Sequence, residues 1–462
     1  MKLVKDSLLY VTGTVSPILV QLLVTPLLTR LLGGHEYGNV AIGIAISQSA
    51  AVILPLGLSA AITRHVILED GGGPEGARIV TAGATITLFI SAAASLLISA
   101  IPDLGNQSPM YTLGVASGAG LAMAQLVQAY LRGRDRPLVF VLLGCGVAVA
   151  PSVAGLCVVS LGSSSGIQYM STLAAGQVMI GVTAVAVIFW SNRGGLRLGV
   201  LSRSLKIGIP TLPHTLATPL VLTLAVMIAS SWGDPSSAGR VQIAAMLGTA
   251  PITFLAAVNN AWAPYVYRTA VGDRPLILRR TTAWIAVLAM TLSLAYAVLA
   301  PWVLPLIGGP LSSRGAIALS MLVSGSSGFY VAYLANIHLT FIAGRTWPLA
   351  ITSPLSVMAS VFAIIALLNA FPGPPLWTYG IMWMTYHGSQ AVFSNLLARR
   401  TKLGVVDMDL AMPALAVAVI FPALLAIALD RYWALFGIAV SGILIGLRLP
   451  LKHEQVVRKD RR

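Results

Sequence analysis

Three arginines, Arg30, Arg64 and Arg268, stand at the ends of long apolar segments. A guanidinium at the centre of a membrane helix costs about 2.5–3.5 kcal/mol, so it either reaches the interface or binds an anion. Its planar fork matches the oxygens of a phosphate. We predict that these residues bind an anionic headgroup, with Arg30 the best placed. Anchoring at the membrane interface is the alternative, above all for Arg64 and Arg268.

Uncharged polar side chains inside the apolar segments suit a ligand that is rich in hydroxyl groups. We assign Gln48, Asn259 and His214 to substrate binding, with hydrogen bonds between helices as the alternative use of such groups. His214 and His387 lie at depth and belong to the residue type that changes charge near neutral pH. If transport is driven by protons, we expect one of these two histidines to carry the coupling.

Carboxylates are scarce, and those near the apolar segments lie at segment ends: Asp6, Glu36, Asp407, Asp409 and Asp430. A multidrug-type cation antiporter would hold its ion or drug on a carboxylate near the membrane midplane. A membrane-embedded glycosyltransferase or polymerase would present a catalytic carboxylate on an outer loop. The scarcity counts against both functions, which stay open as alternatives.

No residues suggest a metal or a cofactor. The two cysteines, Cys145 and Cys157, fall twelve residues apart in one apolar run and cannot reach each other within a helix. We therefore expect no disulfide, no metal site and no cofactor.

The elements that must position these residues are transmembrane helices. The chain is 57% hydrophobic and only 9% charged, whereas a soluble domain carries roughly 25% charged residues. Lipid then has to solvate the chain, and only helices or a closed barrel satisfy a backbone in lipid. The apolar runs are about 20 residues long and do not alternate as barrel strands do, so an all-α polytopic membrane protein is predicted.

The apolar runs predict about fourteen transmembrane helices, and the first run reads as a span rather than as a cleaved signal peptide. The shortest predicted span is the last one. The predicted spans are 8–32, 36–62, 79–101, 110–131, 138–161, 167–190, 207–231, 240–263, 281–303, 316–342, 347–369, 377–398, 409–429 and 432–449.

Positive charge is distributed unevenly across these spans. Of the 29 lysines and arginines, 25 fall on the side of the N-terminus, and the opposite side has Arg30, Arg240, Arg314 and Arg431. By the positive-inside rule, both termini are cytoplasmic. The net charge of +15 is therefore a signal of topology that also suits contact with membrane lipids, and we expect no nucleic-acid partner.

A weak internal repeat divides the helices. Gly38 and Gly239 lie 201 residues apart, each at the start of an even-numbered span. This predicts two parallel six-helix lobes, 1–206 and 207–398, followed by two further helices and a basic cytoplasmic tail at 399–462. Prolines interrupt the first helix of each lobe and are candidate hinges: Pro17, Pro26, Pro210, Pro213 and Pro219.

Short motifs follow one another along residues 1 to 400: Thr29-Arg30-Leu31-Leu32 with Glu36-Tyr37-Gly38, Gly57-Leu58 with Arg64, Gly208-Ile209-Pro210 with Leu212-Pro213, Ala261-Trp262-Ala263-Pro264-Tyr265, and Gly344-Arg345-Thr346. In this order they resemble the bacterial polysaccharide flippases, whose superfamily also holds multidrug-and-toxin exporters and lipid II flippases. One departure is that Ala238-Gly239 stands where the family often has a Gly-Tyr pair.

The resemblance implies a transporter rather than an enzyme. We expect it to move a polyprenyl-linked saccharide from the inner to the outer leaflet of a bacterial cell membrane by alternating access. Glycan-assembly enzymes are candidate partners.

Overall fold

The computed structural model describes residues 2–68, 72–101, 108–162, 165–192, 198–344, 347–371, 373, 375–401 and 411–427. Side chains are described from residue 20 onward, except at 68 and 198. Every regular element in this part of the chain is helical, as predicted. The predicted span 432–449, the basic tail and the side chain of Pro17 lie outside the described residues.

Fifteen α-helices and one short 3-10 helix (Gly309–Leu311) make up the described part. The α-helices are α1 (Lys2–Ile53), α2 (Leu58–Leu68), α3 (Gly72–Ser99), α4 (Ser108–Gly133), α5 (Pro137–Leu161), α6 (Gly166–Asn192), α7 (Leu198–Trp232), α8 (Pro235–Gly248), α9 (Ala250–Arg268), α10 (Arg274–Gly308), α11 (Arg314–Gly325), α12 (Ser327–Ile342), α13 (Leu349–Ala370), α14 (Thr378–Arg399) and α15 (Met412–Ile427).

Helices or helix pairs cover the predicted spans from the third to the twelfth, and α15 covers most of the described part of the thirteenth. By length and composition, eight stretches of the described chain can each cross a membrane, or ten if each of two bent pairs is one span. The bent pairs are α1 with α2, at 45°, and α8 with α9, at 42°.

The first two predicted spans meet without a loop. α1 contains the first span and most of the second as two helical segments that meet at Gly33, its one non-helical residue, with φ 73° and ψ 179°. Glycine reaches this left-handed region because it has no Cβ to clash. The second span bends again at residues 54–57, where Gly57 also has a φ of 73°, before α2 begins.

The described helices form two compact units, the first of which contains residues 1–239 and 307–311. Within it α4 packs on α1, α3 and α6. The helices approach closely through small residues, as membrane helices do: Gly118 of α4 lies against Ser47 and Ala50 of α1, and Gly120 lies against the backbone of Gln177.

Helix α7 packs on α1 and α2 and so belongs to this first unit. It stays a single helix through Pro210, Pro213 and Pro219. The lobe boundary between residues 206 and 207 and the hinge role of the prolines stay predictions.

The second unit contains residues 240–306 and 312–462, as far as they are described. In it α12 packs on α14, α15 and α9, and α14 also packs on α13 and α11. Glycines again allow the close contacts: Gly325 and Gly328 lie against α15, and Gly380 of α14 lies against Leu322 of α11.

Candidate functional site

Arg30 lies on the exposed side of α1, three residues before the break at Gly33. The backbone of Gly309, which has a φ of +50°, lies against the Arg30 side chain. Arg64 is exposed on α2, near the far end of the second predicted span. About 31 residues of bent helix separate Gly33 from Arg64, which is roughly 45 Å at 1.5 Å per residue. One headgroup therefore cannot contact both arginines at once.

The helical turn explains why Arg64 stays exposed. Its neighbour His65 is buried, and its Nε2 lies 3.3 Å from the hydroxyl oxygen of Ser204 on α7. Consecutive side chains on a helix point about 100° apart, so burial of His65 leaves Arg64 facing outward. The α2–α7 contact thereby positions the arginine.

Arg268 ends α9 and is exposed. The cation that caps this helix end is Arg274, whose Nε donates to the carbonyl of Thr269 at 2.9 Å and whose Nη2 donates to that of Tyr267 at 3.0 Å. Within the described part of the chain, Arg30, Arg64 and Arg268 have no hydrogen bond or ion pair. All three guanidinium groups are thus available to an anion.

The first unit also holds Gln48 and His214, both half-buried. Beside Gln48, the hydroxyls of Ser49 and Thr223 lie 2.8 Å apart and join α1 to α7. A second buried bond, from Ser117 to the side chain of Gln177, joins α4 to α6. Helix-to-helix bonding thus accounts for Ser49, Thr223 and Gln177. The substrate contacts of Gln48 and His214 stay predictions.

The second unit contains a group of aromatic and histidine side chains from three helices, here called the aromatic–histidine cluster. Its members are Trp262 and Tyr267 on α9, Tyr330, Tyr333 and His338 on α12, and Tyr386, His387 and Gln390 on α14. Tyr330 and Tyr333 stack with ring centroids 6.0 Å apart. On α12, His338 contacts both members from α9, and Tyr330 contacts His387 of α14. The cluster is therefore continuous from α9 to α14.

His338 lies at the α9 side of the cluster and is only 2% exposed. Its ring stands nearly perpendicular to those of Trp262 and Tyr267, at centroid distances of 4.6 and 5.6 Å. Its Nδ1 lies 3.1 Å from the Tyr267 hydroxyl. These contacts fix the ring in place.

His387 lies at the α14 side and is also 2% exposed. Its ring centroid is 5.4 Å from that of Tyr330 and 4.8 Å from that of Tyr386. The Gln390 amide donates to the Tyr386 hydroxyl at 2.9 Å. The predicted coupling residue therefore sits among aromatic rings.

Several buried polar atoms in these helices have no hydrogen-bond partner among the described residues. They are Oδ1 of Asn259, Oδ1 of Asn336, Nε2 of His338, Oγ1 of Thr340 and Nδ1 of His387. Buried polar groups are nearly always hydrogen-bonded, so each of these atoms calls for a partner such as an ordered water, an ion or a ligand. No group of three metal-ligating side chains occurs in the described chain.

The predicted site residues divide between the units. Arg30, Gln48, Arg64 and His214 belong to the first unit, and Asn259, Arg268 and His387 belong to the second. His387 belongs to the aromatic–histidine cluster, which also contains Tyr267, the neighbour of Arg268. Sequence reasoning missed His338, although the signal that singled out His387, a histidine inside an apolar span, applies to it equally.

A family model described as "Polysaccharide biosynthesis protein" matches residues 3–270, from α1 through α9. The chain belongs to the polysaccharide biosynthesis protein family. The search of curated proteins found no match to the sequence of this chain.

Three solved structures share the fold of this family member. Over 98% of its length it superposes on 99% of the "Lipid II flippase MurJ, inward closed conformation", with a TM-score of 0.66 and 12% identity. The structure of an outward-facing multidrug resistance MATE transporter of the MOP superfamily matches 85% of this chain and 95% of the transporter's length. The TM-score is 0.55 and the sequence identity is 13%. A MOP superfamily transporter from Pyrococcus furiosus matches 89% of this chain and 96% of its own length, with a TM-score of 0.54 and 12% sequence identity.

Proposed function

We propose that this protein is a flippase that moves a polyprenyl-linked saccharide from the inner to the outer leaflet of a bacterial cell membrane. The observation that carries the proposal is the family match over residues 3–270, because it links the chain to polysaccharide biosynthesis. The fold shared with flippases and multidrug transporters supports transport rather than catalysis. Fold alone does not define a substrate, so the substrate class rests on the family and on the site.

The charges of the described helices favour an anionic substrate over a cationic drug. The acidic side chains of the described chain are Glu36, Glu75, Asp135, Asp234 and Asp273. Glu36 lies in α1, three residues after the break at Gly33, and the others lie in the first turn of a helix or in loops. Arg30, Arg64 and Arg268 are exposed and have no acidic partner among the described residues. A polyprenyl-linked saccharide joined through a diphosphate supplies the anion that such guanidinium groups bind.

Alternating access between two lobes is the transport mechanism we propose, with the prolines of α1 and α7 as hinges. The cytoplasmic placement of both termini belongs to the same proposal and follows from the distribution of lysine and arginine. Membrane lipids surround the protein, and glycan-assembly enzymes are the partners we propose on the cytoplasmic side.

Transport by purified protein in liposomes tests the function. A fluorophore-labelled, diphosphate-linked polyprenyl saccharide is supplied in the membrane, and an impermeant reductant reports the fraction of dye in the outer leaflet. We expect the protein to change that fraction for this lipid but not for the uncharged polyprenyl alcohol carrying the same dye.

Export of a cationic dye from the same liposomes serves as the opposing measurement. Export of the cationic dye without movement of the saccharide lipid would instead support a multidrug-type antiporter. Release of free sugar or a lengthened glycan would support a membrane-embedded transferase.

A further inference from the structure

We propose that His338 is a proton-binding residue that gains and loses its proton through the hydroxyl of Tyr267. Its part in transport rests on the proposed function, whereas its binding of a proton does not. The proposal follows from three observations. A ring nitrogen of His338 is buried, its other ring nitrogen is hydrogen-bonded to Tyr267, and Tyr267 is exposed near the end of α9.

The buried nitrogen indicates the kind of ligand. Nε2 of His338 is inaccessible to solvent and has no hydrogen-bond partner among the described residues. The ring is held between Trp262 and Tyr267, and Trp262 is itself held by the hydrogen bond that its indole N–H donates to Thr281 at 2.8 Å. A sugar does not fit against a ring that is 2% exposed, and no metal-ligating group surrounds it in the described chain. A proton requires no volume.

Tyr267 provides the access. It is 38% exposed and is the penultimate residue of α9, and its hydroxyl reaches Nδ1 of His338 at 3.1 Å. A proton from water adds to the tyrosine oxygen while the proton already on that oxygen passes to Nδ1. The tyrosine is neutral before and after the step, and the imidazole becomes an imidazolium. Release is the reverse.

The ionisable side chains around His338 are basic or phenolic. The helices that contribute contacts or hydrogen bonds to α12 are α9, α10, α11, α14 and α15, and none of them contains an aspartate or glutamate. Their histidines, tyrosines and arginines are Tyr265, Tyr267 and Arg268 on α9, Arg274, Arg279, Arg280 and Tyr296 on α10, Arg314 on α11, and Tyr379, Tyr386, His387 and Arg399 on α14, while α15 has none; α12 itself adds Tyr330 and Tyr333.

Aromatic rings take the place of a carboxylate in stabilising the charge. The faces of Trp and Tyr attract a cation within about 6 Å of the ring centroid. Trp262 and Tyr267 lie within that distance of His338 and at nearly right angles to it, an arrangement in which an imidazolium N–H edge can point at an aromatic face. Because this stabilisation is weaker than a buried ion pair, the proton stays exchangeable, as a coupling site requires.

Fluorescence of Trp262 reports the proton directly and needs no saccharide. A protonated imidazole quenches a neighbouring indole, and a buried imidazole gains its proton at a lower pH than one in water. The emission assigned to Trp262, by difference from Trp262→Phe, should therefore fall as the pH is lowered from about 7 to 3. His338→Gln should remove this change. Tyr267→Phe keeps the ring and removes the hydroxyl, and it should slow the fluorescence response to a pH jump several-fold. The matched control is Tyr265→Phe, since Tyr265 is an exposed tyrosine two residues earlier on α9. This variant should respond like the wild type.

Constant Trp262 emission over this pH range, or an unchanged response in His338→Gln, would overturn the proton site whatever the transport assay gives. If Tyr267→Phe responds to the pH jump as fast as the wild type, the route through the tyrosine is overturned. The same variant tests the proposed route if His338→Gln fails to fold. In liposomes that move the saccharide lipid, His338→Gln should lose the stimulation by a pH gradient. Full stimulation in that variant would separate proton binding from transport and overturn the coupling role alone.

Discussion

The hydroxyls of Ser49 on α1 and Thr223 on α7 lie 2.8 Å apart in a buried contact between two helices that the chain separates by 174 residues. Thr223 also lies 2.7 Å from the carbonyl oxygen of Ala45 and 3.0 Å from that of Pro219. The bond thus joins the helix that carries Gln48 to the proline-containing helix that carries His214.

Thr223→Val should destabilise the first unit, because valine has the same shape but leaves the Ser49 hydroxyl and the Ala45 carbonyl without this partner. We expect a loss of about 0.5–2 kcal/mol, the range for hydrogen bonds between membrane helices. Thermal unfolding of the purified protein measures it. Thr215→Val is the control, since its exposed hydroxyl bonds only within its own helix. Equal stability of the two variants would contradict a structural role for the α1–α7 bond.

Gly57→Ala should reduce the yield of folded protein. Gly57 has a φ of 73°, and a Cβ at this position would collide with the backbone carbonyl of Gly208 on α7. Strain of about 1–3 kcal/mol from the backbone conformation adds to this collision. Gly146→Ala, on a helix where the added methyl meets open space, should fold normally. Size-exclusion profiles and thermal unfolding compare the two variants, and a normal profile for Gly57→Ala would show that the close approach to α7 does not form.

Arg30→Ala should lower transport of the diphosphate-linked lipid by about tenfold or more, since a hydrogen bond to a charged group contributes roughly 1.5–3 kcal/mol. Arg30→Lys should restore only part of it, because an ammonium does not reproduce the guanidinium fork. Initial rates in liposomes are the measurement, with Arg136→Ala as an exposed control and protein abundance matched. Normal transport by Arg30→Ala would remove the best-placed arginine from the substrate site. Arg64→Ala and Arg268→Ala should have smaller effects.

His387→Gln and His214→Gln test the two histidines that the sequence singles out. If either one couples transport to protons, its variant should lose the dependence of transport rate on a pH gradient while retaining transport down a substrate gradient. Unchanged pH dependence in both variants would remove His214 and His387 from proton coupling.

Single cysteines in a background without Cys145 and Cys157 test the topology. Cysteines at Arg134 and Arg274 should react with an impermeant reagent only from the cytoplasmic side, and those at Gln107 and Ser164 only from outside. Labelling of positions 107 and 134 from the same side would mean that the span count is wrong.

The fold class could be predicted from composition and run length alone. An apolar run of about 20 residues crosses a bilayer as a helix whatever it packs against, and the count of lysine and arginine indicates orientation without reference to contacts. The location of breaks was less predictable. The sequence suggested a turn near Gly33. The structure narrows this turn to one glycine at which two helical segments meet, and it adds a second bend at Gly57.

The partners of the polar side chains were decided by the tertiary structure. Nothing in the sequence pairs Trp262 or Tyr267 with His338, Tyr330 with His387, or Ser49 with Thr223. In a soluble protein an amphipathic stripe indicates which face of a helix is buried. These helices are apolar on nearly every side, so the pattern that would indicate their rotation is faint. Which side chains meet therefore depends on how each helix is rotated and where small residues allow close packing, and both are properties of the assembled bundle.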